Sequence, residues 1–399
     1  MIIACPDCGT IQRLPLLRER SRLLCCRCDN VLERTAGRSQ DAALALALAT
    51  LVMWIPANLT TLMSLQVLGM ERSTRLGSGV IAMWNEGWPE LALVVGLQGV
   101  ILPFVRFGLL SAALASIRFG FQGGWTGPVF RWAQRLDLWA MPDVFLLGAV
   151  VGYSRVQAQI PVTIGPGGWS LIAAASLTML TRASLDTRSV WRSIQRPDSP
   201  PAGPRIACTE CDLVLPARMN GGRCPRCAAK LAARKPYAVA RATALVAAGY
   251  PLYLAANYFP MNVQTKLGQV DDQTILYGVD RLLSAGFWPL AAIIFTASIL
   301  IPVGKLIGMS WLLWSVHRHS DRRLKRKTRI YRFIEEIGRW SNIDIFTIAI
   351  FLPIMQLDGF VTMRAGVGAP AFLSVIVLTM IAARLFDPRL MWDNAGERT

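Results

Sequence analysis

Eight cysteines, set in four C-x-x-C pairs, are the residues of this sequence best placed to do chemistry. Cys5, Cys8, Cys25 and Cys28 follow the spacing C-x2-C-x16-C-x2-C, and Cys208, Cys211, Cys224 and Cys227 the spacing C-x2-C-x12-C-x2-C. Two residues between paired cysteines form a tight knuckle that turns both sulfurs toward one ion, and four thiolates then close a tetrahedral structural site. Pro6-Asp7, Gly9, Pro225-Arg226 and Gly221-Gly222 supply the turns such knuckles need. The expected ion is zinc, two per chain. The alternatives are disulfides, disfavoured in a reducing compartment, C-x-x-C redox exchange, for which modules this short leave no βαβ scaffold, and a rubredoxin-like iron. A closed four-sulfur site has no open coordination position, so these modules read as structural or docking elements that fold around metal. Cys26 has no counterpart in the second module and is left as a spare. No nucleotide-binding loop and no nucleophile–base pair accompany the cysteines, and Gly165-Pro166-Gly167-Gly168 lacks the Lys-Ser/Thr of a phosphate loop; the chain is not expected to be an enzyme.

The second set of chemically suggestive residues lies within apolar surroundings. An ionisable side chain at bilayer depth costs a few kcal/mol or more and is a functional candidate by default. Lys305 stands about 20 Å of helix from the basic cluster that begins at Arg318, too far for easy snorkelling. Arg106 holds the equivalent place earlier in the chain, and each cation follows a proline by three residues, Pro103 and Pro302. Proline removes a backbone hydrogen bond and kinks a helix, opening space beside the cation. Asp143 and Asp344, in M-P-D-V-F and N-I-D-I-F, are either helix N-terminal carboxylates stabilised by the macrodipole or partners of the cation in their own half. Asn58 and Asn257 sit beside Pro56 and Pro260, where a buried amide is expected to hydrogen-bond between helices. Charge pairs that merely hold helices together are the competing reading for Arg106 and Lys305.

These residues come in pairs because the chain is written twice. Cys25, Cys28, Leu32, Asn58, Gly69, Gly79, Gly87 and Pro103 recur 199 residues later as Cys224, Cys227, Leu231, Asn257, Gly268, Gly278, Gly286 and Pro302. Trp139, Asp143 and Phe145 recur as Trp340, Asp344 and Phe346. The composition is 53% hydrophobic and 17% charged, with charge-free stretches long enough to cross a hydrocarbon core of roughly 30 Å. The sequence predicts an all-α polytopic membrane protein of eight transmembrane helices, in two four-helix repeats, each preceded by a small cysteine module. The spans are expected at 42–68, 89–117, 138–158, 167–185, 242–264, 286–316, 341–361 and 369–388, and the domains at 1–36, 37–195, 203–235 and 236–393.

Of the 42 Lys and Arg, 34 fall on the side that carries the termini and both cysteine modules. Short loops rich in these residues stay in the cytoplasm, which places termini and modules there. The same topology, with attraction to anionic headgroups, accounts for the net charge of +17 without invoking nucleic acid. The N-terminus MIIACPDCGT does not read as a cleavable signal peptide.

With these motifs in view, the C-x-x-C pairs, the asparagine–proline first span, I-L-I-P-V-G-K-L-I at 299–307 and W-S-N-I-D-I-F at 340–346 resemble the paraquat-inducible protein A family, the PqiA/LetA group of bacterial inner-membrane proteins. The resemblance runs through both repeats. It implies zinc-ribbon folds for the cysteine modules and an inner-membrane partner for a periplasmic MCE-domain protein, whose rings form tunnels for phospholipid between two membranes. Lys305 and Asp344 would then be the polar transport site of the C-terminal half, with Arg106 and Asp143 the weaker N-terminal pair. A non-transporting scaffold for the MCE assembly, and a zinc- or redox-responsive membrane sensor, are the alternatives.

Overall fold

The computed structural model describes residues 2–13, 22–34, 39–67, 70–157, 161–194, 203–266, 269–354 and 361–396. The first module is two hairpins, β1 (Ile2–Ala4) with β2 (Ile11–Arg13) and β3 (Arg22–Leu24) with β4 (Val31–Arg34), each carrying a cysteine knuckle at its turn. The first repeat follows as α1 (Gln40–Leu59), β5 (Met63–Val67), β6 (Met70–Thr74), α2 (Ser78–Asn85), α3 (Pro89–Gly96), α4 (Leu102–Arg118), α5 (Thr126–Leu136), α6 (Pro142–Gln157), β7 (Val162–Ile164), α7 (Pro166–Ser184) and α8 (Thr187–Ser193). The second module is β8 (Arg205–Ala207), β9 (Val214–Pro216) and a bridge between Arg223 and Lys230. The second repeat retraces the first: α9 (Ala238–Tyr258), β10 (Asn262–Lys266), β11 (Gln269–Gln273), α10 (Ile275–Ser284), α11 (Trp288–Phe295), α12 (Ile301–His317), α13 (Leu324–Ile337), α14 (Ile343–Ile354), β12 (Val361–Ala365), α15 (Gly368–Leu385) and α16 (Arg389–Gly396).

Among the described residues, six helices are long and apolar enough to cross a membrane: Gln40–Leu59, Pro89–Arg118, Ala238–Tyr258, Trp288–His317, Leu324–Ile354 and Gly368–Leu385. The chain is a multi-pass membrane protein. In each repeat the first and last long helices pack side by side, α1 with α7 and α9 with α15, while α6 and α14 join the repeats. Phe145 and Phe346 meet at that junction, ring centroids 5.0 Å apart. At position 148 the glycine is required, because a Cβ would press into Phe346.

Three expectations need correction. The molecule is not all-α: beyond the module hairpins, each repeat carries a three-stranded antiparallel sheet, ordered β6-β5-β7 and β11-β10-β12. The spans expected at 42–68 and 242–264 therefore stop as helices at Leu59 and Tyr258. Absence of charge made Met63–Val67 look like membrane helix, but its alternation of Met, Ser, Leu, Gln and Val has the period of a strand. Likewise the end of the span expected at 341–361 is strand from Val361, and its helix begins far earlier, as one bent run from Leu324 through a 3-10 turn at Gly338–Asn342. Residues 68, 158, 355–360, the linker 195–202 and the boundary 36–37 lie outside the described residues.

Both prolines act as the sequence suggests, through an identifiable device. Leu97–Ile101 and Thr296–Leu300 form π-helical turns that join α3 to α4 and α11 to α12. Pro103 and Pro302 have no N–H to give, so the ladder widens by one residue just before each of them.

Candidate functional site

The two cysteine modules each bring four sulfurs together. In each, the four Sγ atoms lie within 4.8 Å of one another and all four residues are buried. Cys5–Cys28 and Cys8–Cys25 approach to 3.5 Å, and Cys208–Cys227 and Cys211–Cys224 to 3.6 Å. Bonds of about 2.3 Å to a central ion require tetrahedral sulfurs roughly 3.8 Å apart, so this donor set fits one thiolate-bound divalent ion per module. Cys26 is exposed and outside the cluster.

Each module buries its apolar side against the repeat it does not precede, while single ion pairs, Glu33 with Arg192 and Arg234 with Asp393, reach its own. The first buries Ile3, its four cysteines and Leu32 against Leu312, Leu313, Val316, Tyr331 and Trp392 of the second repeat. Asp7 pairs with Arg332 of α13 at 2.5 Å and Asp29 with Lys325 at 2.9 Å. The same Arg332 donates to Cys28 Sγ at 3.4 Å, the outer-shell contact that orients and partly neutralises a metal-bound thiolate. The second module buries its cysteines against Phe107, Leu110, Leu114, Phe130 and Trp191 of the first repeat. Glu210 there pairs with Arg135 of α5 at 2.9 Å, and a Cβ at position 127 would overlap the Arg226 carbonyl. This crossed docking has no signature in the sequence. Between the two modules and the helix ends lies a cavity of about 750 Å³, bordered by Trp139, Lys235, Glu335 and Arg384. At its edge, burial opposes ionisation of Asp387, but the Arg389 guanidinium and the backbone N–H groups of Lys235 and Arg389 outweigh it and hold the carboxyl below its usual range.

The two intramembrane cations, equivalent by repeat, meet different surroundings. Arg106 is 3% exposed and pairs with Asp137, which also accepts from Arg182 at 2.9 Å. Arg182 continues to Asp143 at 2.6 Å, and Arg339 of the second repeat approaches Asp143 at 3.9 Å. Arg106 and Asp143 thus belong to one network, bridged by Asp137 and Arg182, two residues the sequence reading did not single out. Lys305 is 2% exposed, and its Nζ donates to the backbone carbonyl of Gly338 at 3.4 Å. Gly338 stands where the first repeat has Asp137, and Ala383 where it has Arg182. Asp344, expected from the sequence to lie within reach of Lys305, meets the Ser298 hydroxyl from the π turn. Both cations also lie nearer one end of the helices than counting along the chain implied. Arg182 is in the last turn of α7, and Met380, beside Gly338, is five residues from the end of α15. The lower half of α12 projects past that end to meet the first module.

From Lys305 toward the sheet end runs a column of buried polar groups: Ser341 and Asn342, with Ser341 Oγ and Asn342 Oδ1 lacking partners, then Ser298 with Asp344, then Thr347. Asn58 and Asn257 are not part of it. Both are half-buried and donate along their own helices, to Trp54 O at 2.7 Å and Tyr253 O at 2.9 Å, so the expected bonds between helices are absent from these donors.

Comparison with known proteins agrees over both repeats. The family model described as Paraquat-inducible protein A matches residues 40–195 and 239–396. Intermembrane transport protein PqiA of Escherichia coli (strain K12) is 30% identical over 407 residues, covering 99% of this chain and 96% of the relative. Lipophilic envelope-spanning tunnel protein A of the same strain is 28% identical over 392 residues, 98% and 90% of the two chains. A probable intermembrane transport protein of Haemophilus influenzae is 24% identical over 410 residues, 98% and 95%. No solved structure matches the chain.

Proposed function

Because the chain belongs to the paraquat-inducible protein A family, we propose that it is the inner-membrane component of an MCE-type intermembrane transport system, a non-enzymatic carrier that passes phospholipid between the inner membrane and a periplasmic MCE-domain partner. The names of its relatives, intermembrane transport proteins, support the transport part of this reading. In it α6 and α7 join the six long apolar helices to complete eight spans, the module end faces the cytoplasm, the sheets face the periplasm, and each four-cysteine cluster holds a structural zinc.

The observation that carries the reading is the unequal treatment of the two cations. Replacing a carboxylate by a carbonyl removes the charge that would neutralise a buried ammonium, and an uncompensated buried charge is several kcal/mol less stable than a paired one. Nothing in helix packing calls for that arrangement, whereas a phosphate diester arriving beside Lys305 would supply the missing charge. Asp344 and Ser298 suggest how a proton enters. The Ser298 hydroxyl has one hydrogen and two acceptors in reach, the Ile294 carbonyl at 2.7 Å and the Asp344 carboxyl. An ionised Asp344 takes that hydrogen; a protonated one donates to Ser298 and returns it to Ile294. The first repeat, with Gly99 in place of Ser298 and Arg106 paired with Asp137, serves as the fixed half.

The test is lipid transfer in reconstituted or cellular form with Lys305→Ala and Asp344→Ala. Both are expected to abolish transfer while Arg106→Lys retains much of it. Transfer indifferent to both substitutions, with cysteine substitutions alone harmful, would leave only a scaffold.

A further inference from the structure

Above Asp344, toward the sheet end of the second repeat, is a small pocket of about 40 Å³ walled by β10, β11, α10 and α14. Among the described residues its polar lining consists of Asp344, Asn262, Gln273, Thr274 and Thr347, with no Lys or Arg. Two of the donors among these are engaged elsewhere. Thr347 gives its hydroxyl hydrogen to Ile343 O at 2.8 Å, and Gln273 gives its amide to Gln264 Oε1 at 3.0 Å. Asn262 is 6% exposed, and its Oδ1, a buried carbonyl oxygen, has no hydrogen-bond partner. An orphaned buried acceptor is costly unless a donor arrives to meet it, and the Asp344 carboxylate in the same lining favours a cationic one.

We propose that this pocket is a binding site for a primary ammonium group, supplied by the headgroup of an aminophospholipid. The proposal rests on the transport reading above and names the lipid class that reading leaves open. The chemistry selects the ligand. A phosphate would place an acceptor-only anion against a carboxylate, whereas an ammonium carries three donors for Asp344, Asn262 and Thr347. A trimethylammonium has no N–H at all and is too bulky for the volume. Ile275, Ile294 and Ile348, also in the lining, offer an apolar seat for the methylenes of an ethanolamine. The first repeat lacks the site, because Met63 stands where the second has Asn262 and Gly99 where it has Ser298.

The same chemistry would suit a free monovalent cation, so the experiment separates the two. The full chain in detergent is offered equal amounts of phosphatidylethanolamine, phosphatidylcholine and phosphatidylglycerol of identical acyl chains, and retained lipid is read by native mass spectrometry in sodium-free and in sodium-containing buffer. Phosphatidylethanolamine is expected to be retained with roughly tenfold preference, in line with one added charge-assisted hydrogen bond. That preference should fall toward unity in Asn262→Leu, which keeps the side-chain size and strand pairing, with total lipid retention preserved, and should fall likewise in Asp344→Asn. Equal retention of the three lipids by the wild type, or a preference that survives both substitutions, overturns the ammonium assignment and leaves the transport reading standing. A site that takes sodium and ignores ethanolamine overturns it equally. Retention of no lipid by any form would sink both readings.

Discussion

Gly338→Asp restores to the second repeat the carboxylate that the first repeat keeps at Asp137. A Cβ at position 338 would stand 3.8 Å from Lys305 Cε and Nζ and 4.0 Å from Met380 Cγ, ordinary contact distances. Gly338 also has a right-handed helical backbone, φ −55 and ψ −36, so a side chain is accommodated without strain. Two further bonds bring a carboxylate oxygen to about 3 Å from the ammonium, where attraction at an effective dielectric near 20 amounts to about 5 kcal/mol. Desolvating the new carboxylate costs several kcal/mol in return, so folding stability should change by no more than about 2 kcal/mol. The charged state of Lys305, however, becomes fixed by its own counter-ion. The expected outcome is a well-folded protein with near wild-type Tm and normal metal content whose lipid transfer is lost, while Gly338→Ala, lacking the charge, keeps transfer. Full transfer by a folded Gly338→Asp protein would refute the claim that an unneutralised Lys305 is what the lipid requires.

Other consequences follow from the ion networks and the crossed modules. Arg182→Ala orphans Asp143 and part of Asp137, and should cost about 3–5 kcal/mol, read as a large fall in Tm with little change in metal content. Purified chain should hold two zinc ions, and Cys8→Ser should lower that toward one; hydrogen exchange should then rise in Leu324–Ile337 of the second repeat and stay unchanged in Thr126–Leu136, with Cys211→Ser giving the reverse pattern. Asp387 contributes stability that is present above its unfolded value of 3.8 and lost as pH falls through its lower folded value, so Asp387→Asn should destabilise the protein at neutral pH and flatten its acid unfolding profile.

Much of this molecule was readable along the chain because its causes are local. Four thiolates at C-x-x-C spacing can close on one ion whatever lies around them, charge-free stretches must be helical in lipid, and a proline must break the ladder wherever it falls. Duplication was visible because it preserves residue types at a constant offset. Local signals also misled where two causes look alike: the uncharged Met63–Val67 is strand, and its period of two outweighs its lack of charge.

What only the tertiary structure decided is which groups stand opposite one another. The crossed seating of the modules, the Asp137 carboxylate shared by Arg106 and Arg182, and the lone carbonyl facing Lys305 all join residues remote in sequence. A cation's type and depth are written in the chain, but its neutralisation depends on distance in space, since Coulomb energy and desolvation are set by the neighbours that folding delivers. Gly338 illustrates the limit: as a letter it marks a helix bend, and only beside Lys305 does its missing carboxylate acquire meaning.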